Sequence, residues 1–174
     1  LEAFAKRRLF APLGMKDTAF NPSGALAARA APSERREDAW LVGRVHDPRA
    51  AALGGVAGHA GRFSTGDDLA RFAALLLGRQ AAAHPVLSPA SIAALTEPAA
   101  GSHDAWGLGF ETGAGGHGHT GFTGTSLWLD PEHGTAVVLL TSRLHPSGKG
   151  NATRLRREVR AAVRAADRRQ GQVL

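Results

Sequence analysis

The sequence predicts an α+β fold. An antiparallel sheet occupies the second half of the chain, a C-terminal helix packs on it, and a segment of helices and loops precedes it. Three observations predict this. Apolar residues recur at helical spacing near both ends, at Leu1, Phe4, Ala5 and Leu9 and again at Leu155, Val159, Ala162, Val163 and Ala166. Between residues 106 and 141 the period shortens, and turn residues separate short β-prone runs. The 174 residues, 43% hydrophobic and 21% charged, have globular composition and a length suited to one domain or part of one.

Taken in order, Leu1 to Phe10 reads as a helix that Pro12 and Gly14 stop. Residues 21–60 hold no sustained period and predict a long irregular connection, a kind of segment that often carries function. Ser64 or Thr65 caps a helix starting near Asp67, with Leu69, Phe72, Ala73 and Leu76 as its apolar face and Gly78 as its end. Ser88 and Pro89 open a short helix that closes before Pro98. Strands are expected at Trp106–Glu111, Thr123–Asp130 and Thr135–Thr141, with a turn-rich loop at Gly113–Gly118 and a hairpin through Asp130–Gly134. The run Ala136–Leu140 is apolar throughout and predicts a strand covered on both faces. Asn151 to Asp167 forms the last helix, its apolar stripe laid on the sheet.

Composition excludes several functions. There is no cysteine, hence no disulfide, thiolate metal site or cysteine nucleophile. No apolar run approaches the roughly 18 residues of a membrane span. Residues 143–174 hold 9 basic and 2 acidic groups, a net +7 that exceeds the +6 of the whole chain. Such a tail attracts polyanions, but no aromatic residues interleave with its arginines. A solvated helix face is the expected reading, with no nucleic-acid partner.

Catalytic machinery is incomplete here. The residues three before the lysines are Ala3, Leu13 and Pro146, so there is no Ser-x-x-Lys, and there is no Gly-x-Ser-x-Gly and no tyrosine. Gly113-x-Gly115-x-x-Gly118 and Gly116-x-Gly118-x-x-Gly121 fit the dinucleotide fingerprint in form, but a strand follows where a helix is required. His117 and His119 share a face of an extended chain, which offers zinc two ligands if His46, Asp47, His59 or His103 completes the set; no His-Glu-x-x-His supports this. The informative stretch runs from His119 to Pro131. Its small residues permit close approach by a ligand or backbone, and an exposed strand edge there offers N–H groups to an oxyanion. A glycine-rich strand entry with a buried histidine is the plainer alternative.

Four blocks, in order, resemble the C-terminal portion of the serine β-lactamase-like family, which includes class C β-lactamases, low-molecular-weight penicillin-binding proteins and related esterases. They are Leu9–Thr18, Val45–Ala50, Gly54–Thr65 followed by Asp68-Leu69-Ala70, and His119-Thr120-Gly121, which is similar to the family's third motif in its histidine variant. The resemblance implies part of a β-lactamase/transpeptidase-like fold. It implies a serine hydrolase that acts through an acyl-enzyme on an amide, β-lactam or ester. His119, Thr120 and Gly121 would be catalytic-site residues; the Phe122 N–H would serve the oxyanion hole, and His59 would stand on the substrate side. No cofactor or metal is implied. The implied partner is a small-molecule or peptidoglycan-like substrate, and the periplasm or cell envelope the implied compartment.

The chain opens Leu1-Glu2-Ala3 inside a helical pattern. Residues 1–174 are therefore expected to be the C-terminal part of a single domain, its Ser-x-x-Lys and Tyr-x-Asn motifs lying outside them. Such a fragment is expected to be inactive alone. A non-catalytic envelope-binding module on the same fold and a histidine metal site are the competing readings.

Overall fold

The chain divides into two units, Leu1–Phe72 with Ser142–Gly150, and Ala73–Thr141 with Asn151–Leu174. The computed structural model describes residues 1–79, 86–98, 105–113, 115–146 and 148–170.

In the first unit, α1 (Glu2–Ala5) widens into a π-helical turn over Lys6–Phe10, closed by Ala11 N donating to Lys6 O at 2.9 Å. The amide of Met15 then donates to Phe10 O, also at 2.9 Å, and Phe10, Leu13 and Met15 turn into the core. The expected irregular stretch carries more structure than its composition suggests. It holds β1 (Ala19–Phe20), α2 (Gly24–Ala28), a hairpin of β2 (Arg35–Arg36) and β3 (Ala39–Trp40), and α3 (Pro48–Ala52). The last has a readable cause: Asp47 accepts the Ala50 amide at 2.8 Å, and Pro48 needs no partner for the N–H it lacks. Then β4 (Arg62–Phe63) pairs antiparallel with β1.

Thr65 caps α4 (Gly66–Leu76), its hydroxyl accepting Asp68 N at 3.3 Å. Asp67 faces solvent, but Asp68 is buried, and its Oδ2 accepts Asp17 N and Thr18 Oγ1, each at 2.8 Å. Thr18 Oγ1 also lies 2.7 Å from Ser64 Oγ. Two of the family-like blocks, Leu9–Thr18 and Gly54–Thr65 with Asp68-Leu69-Ala70, are thus tied to each other through a buried carboxylate.

The second unit begins in the C-terminal half of α4, where Ala73, Leu75 and Leu76 are buried. Ser88 caps α5 (Pro89–Thr96) by accepting Ser91 N at 3.1 Å. The sheet is an antiparallel meander, β5 (Glu111–Gly113), β6 (Gly116–Thr120), β7 (Ser126–Asp130) and β8 (Thr135–Leu139), in that spatial order. α6 (Thr153–Gln170) lies on one face of it.

Four expectations need correction. Trp106–Glu111 is not a strand: Gly107 N donates to Phe110 O at 2.9 Å, so the segment folds back and leaves one bridge between Trp106 and Glu111. Two glycines, Gly107 and Gly109, favour that turn over an extended run. The supposed loop at Gly113–Gly118 contains most of β6, because cross-strand bonds to β7 stabilise a glycine-rich segment that propensity disfavours. The apolar β8 is only half-buried, since it ends the sheet order; β7, flanked on both edges, buries Leu127, Trp128, Leu129 and Asp130. The side of α6 turned to the sheet carries only part of the expected apolar stripe. Leu155 and Ala162 are exposed while Val159, Val163 and Ala166 are half-buried, and Arg156, Arg160 and Arg164 beside them reach β7 and its flanking turn.

Candidate active site

The triplet His119-Thr120-Gly121 stands at the end of β6. On its outer edge β5 pairs only as far as Glu111 opposite Gly118, so that pairing stops one residue short of His119. On its inner edge β7 pairs through Thr120 opposite Ser126. The last residues of β6 therefore present one edge to which no described strand is bonded, and such an edge offers backbone donors and acceptors to an extended ligand.

Directly opposed residues of an antiparallel pair share a face. His117 opposes Leu129 and His119 opposes Leu127, so both imidazoles lie on the face away from α6. Their surroundings differ. His117 is buried edge-on to Phe110 with ring centroids 5.9 Å apart, and its Nε2 has no hydrogen-bond partner. Burial pulls its pKa below the ordinary histidine value, with the Glu97 carboxylate opposing, so the ring is held neutral. His119 is exposed and meets the Trp106 ring edge-on at 5.6 Å, the indole itself remaining 47% exposed.

The expected alternation through residues 119, 121 and 123 breaks after Thr120. Gly121 N donates to Thr125 O at 2.7 Å and Gly124 N to Gly121 O at 3.1 Å, a tight turn with the Phe122 ring 68% exposed at its tip. A Cβ on Gly121 would strike Thr125 Oγ1, so a side chain there requires that hydroxyl to turn away. At Gly118 a Cβ would strike Leu127 O and the Trp128 ring.

On the other face, Thr120 joins Thr153, Arg156, Arg157, Arg160 and Arg164 around a cavity of about 480 Å³. Arg156 Nη2 donates to Gly121 O at 2.8 Å and Thr125 O at 2.9 Å, clamping the turn onto α6. The Arg160 guanidinium lies 3.2 Å from the centroid of the Trp128 ring, a cation–π contact. Arg164 Nε is 3.7 Å from Asp130 Oδ2. Burial lowers the Arg160 pKa, with Glu111 opposing and Arg164 adding to the effect; the guanidinium stays charged at any physiological pH. Four guanidiniums and two hydroxyls around one cavity suit an anion, above all a carboxylate or phosphate oxygen pair.

His59 belongs to the first unit, and His119, Thr120, Gly121 and Phe122 to the second. His59 Nε2 lies 3.0 Å from Asp47 Oδ1, the carboxylate that caps α3. The Ala50 amide, then the His59 ring, hold the Asp47 carboxyl below its ordinary pKa. His46 Nε2 pairs with Glu34 at 2.9 Å in the same unit. Of the side chains suggested as zinc ligands, His103 lies outside the described residues. Among those described, the group whose ligand atoms converge is Asp130, Glu132 and His133. There Asp130 accepts His133 N at 3.2 Å and sits 3.1 Å from its Nδ1, with the Arg164 guanidinium also beside it, which is the chemistry of a capped turn.

Sequence reasoning missed the arginine wall and Trp106. The first had a signal: 156, 160 and 164 repeat at helical spacing on one stripe. The second had none, since Trp106 reaches His119 only because the segment before β5 folds back.

The sequence matches the family model described as Beta-lactamase over residues 1–161. It is 30% identical to the N-acetylmuramyl-L-alanine amidase of Bacillus subtilis (strain 168) over 83% of this chain and 40% of that protein. It is 28% identical, with the same coverages, to a Salmonella paratyphi B protein named "Putative D-alanyl-D-alanine carboxypeptidase". A solved structure named "putative beta-lactamase" from Bacteroides dorei DSM 17855 overlaps 82% of this chain and 44% of its own at 18% identity and a TM-score of 0.47. The chain thus spans about 40% of the length of the curated relatives it matches. With the match running through all four sequence blocks, from the first helix to the arginine-bearing one, the chain belongs to the Beta-lactamase family.

Proposed function

We propose that residues 1–174 are the C-terminal part of one β-lactamase-like domain and supply the third-motif side of a serine hydrolase's active site. The hydrolase acts through an acyl-enzyme on an amide, β-lactam or ester substrate that carries a free carboxylate. The observation that carries this reading is the end of β6: no described strand is bonded to the outer edge at His119 and Thr120, with His119 on one face and Thr120 among four arginines on the other. The names of the relatives, an amidase and a D-alanyl-D-alanine carboxypeptidase, favour a peptidoglycan-like substrate. In this reading His119 hydrogen-bonds substrate or the activating base, the Phe122 N–H helps to hold the oxyanion, Gly121 keeps the approach open, and the arginines bind the carboxylate. The nucleophile and its lysine come from outside these residues, which contain no Ser-x-x-Lys. Alone, the chain binds substrate without turning it over.

The test has two arms. The chain is titrated with N-acylated D-alanyl-D-alanine and with the same peptide amidated at its C-terminus. The free acid should bind in a salt-sensitive way, and Arg157→Gln should weaken it by about threefold or more. In the complete enzyme, His119→Ala should lower kcat/KM by about 10- to 1,000-fold with little change in stability, whereas His103→Ala does little. Equal binding of acid and amide, or full activity in His119→Ala, rejects the reading.

A further inference from the structure

The first unit carries an aromatic surface that the proposed chemistry does not use. Trp40 ends the β2–β3 hairpin, and its indole lies flat on the His145 imidazole, with ring centroids 4.5 Å apart and planes 17° apart. One face of the indole is therefore taken, and the residue is still 42% exposed.

Both layers of this stack are held in place. The Leu41 amide donates to Glu34 O at 2.9 Å and the Ser33 amide to Leu41 O at 3.0 Å, closing the hairpin, while Arg36 Nη2 donates to His46 O at 2.8 Å. On the other side, His145 N donates to Ser142 Oγ at 3.3 Å, and the neighbouring Leu144 is 3% exposed and anchors its loop. A ligand that docks on the indole would find it already oriented, which reduces the ordering cost of binding.

The surroundings decide what that ligand is. Arg35 opposes Trp40 across the hairpin and so shares its face, and Arg35 Nη2 lies 3.7 Å from the fully exposed Asp38 carboxylate. A protein-binding patch has contiguous apolar residues and few charges at its centre. Here one flat aromatic plane is flanked by a guanidinium and a carboxylate. A pyranose ring matches it: its axial C–H groups carry partial positive charge and meet the negative face of the indole, while its hydroxyls and acetamido groups hydrogen-bond to the guanidinium and carboxylate.

We infer that Trp40, backed by His145 and flanked by Arg35 and Asp38, is a saccharide-stacking subsite for an N-acetylhexosamine unit. The choice of sugar rests on the peptidoglycan-like substrate proposed above; the stacking geometry does not. The test follows the indole N–H signals of Trp40, Trp106 and Trp128 by NMR during titration with chitotetraose. Saturable binding that shifts the Trp40 signal is expected. Trp40→Ala should weaken it by about tenfold or more, and His145→Ala by a smaller factor, with Trp106→Ala unchanged. Trp40→Phe, which keeps a smaller ring, should fall between wild type and Trp40→Ala and shows that any loss is not a folding defect. Arg157→Gln, which weakens the peptide carboxylate in the proposed function, should leave chitotetraose binding intact. Absence of saturable binding, binding unaltered by Trp40→Ala, or equal losses in Trp40→Ala and Trp106→Ala overturns the inference.

Discussion

Asp68→Ala should be among the most damaging single substitutions in the first unit. The carboxylate is 5% exposed, and its Oδ2 accepts the Asp17 amide and the Thr18 hydroxyl, each at 2.8 Å. Hydrogen bonds to a charged group contribute about 1.5–3 kcal/mol each, and a buried donor left without a partner costs about 1–3 kcal/mol. Thr18 has an alternative partner in Ser64 Oγ at 2.7 Å, so the Asp17 amide bears most of the unsatisfied penalty. The expected loss is about 3–5 kcal/mol, a fall in Tm of about 6–20 °C for a chain of this size. Asp67→Ala, one residue away and exposed, removes only a helix-end charge worth about 0.3–1 kcal/mol. Chemical and thermal unfolding of Asp68→Ala, Thr18→Val and the double variant measure the coupling directly, expected at about 1.5–2 kcal/mol. A loss under about 0.5 kcal/mol for Asp68→Ala, or no coupling to Thr18, would refute the claim that this carboxylate joins the two segments.

Two further outcomes follow from the second unit. Burial lowers the His117 pKa, so the neutral ring's contribution to stability is complete above the unfolded-state value near 6.5. It is lost as pH falls from there through the depressed folded value, and His117→Phe should flatten that part of a urea-unfolding profile taken between pH 8 and pH 5; an unchanged profile would count against a buried neutral imidazole. Arg156→Met removes the donor to Gly121 O and Thr125 O and should cost about 2–3 kcal/mol, with faster amide exchange in residues 121–125. If exchange there stays at the wild-type rate, the guanidinium does not hold the turn.

Much of the architecture was legible because it depends on neighbours in sequence. Of the two caps offered for the Asp67 helix, Ser64 and Thr65, Thr65 is the one used. The Ser88-Pro89 start and the Asp130–Gly134 reversal are local chemistry, and each appears as read. So does the antiparallel sense of the last two strands, which a short connection dictates. Errors came where local preference and tertiary contact disagree. Glycines argue against β6, but pairing with β7 supplies the hydrogen bonds that offset their entropy. The apolar run Ala136–Leu140 looks central, yet burial is set by position in the sheet order, which no window of sequence contains.

The candidate site divides along the same line. The triplet His119-Thr120-Gly121 and the family it belongs to were present in the residue order. The sequence by itself also determined what these residues lack, since no serine stands one helical turn before a lysine. Only the tertiary structure decided what surrounds the triplet. Register places the two imidazoles on one face and Thr120 on the other, because opposed residues in an antiparallel pair must share a side. The rotation of α6 turns Arg156, Arg160 and Arg164 to the sheet beside the half-buried Val159 and Val163, because carbonyls, an indole and a carboxylate there satisfy the guanidiniums. Side-chain periodicity fixes which residues share a helix face; which face is buried depends on the polarity of the partner, and that partner is distant in sequence.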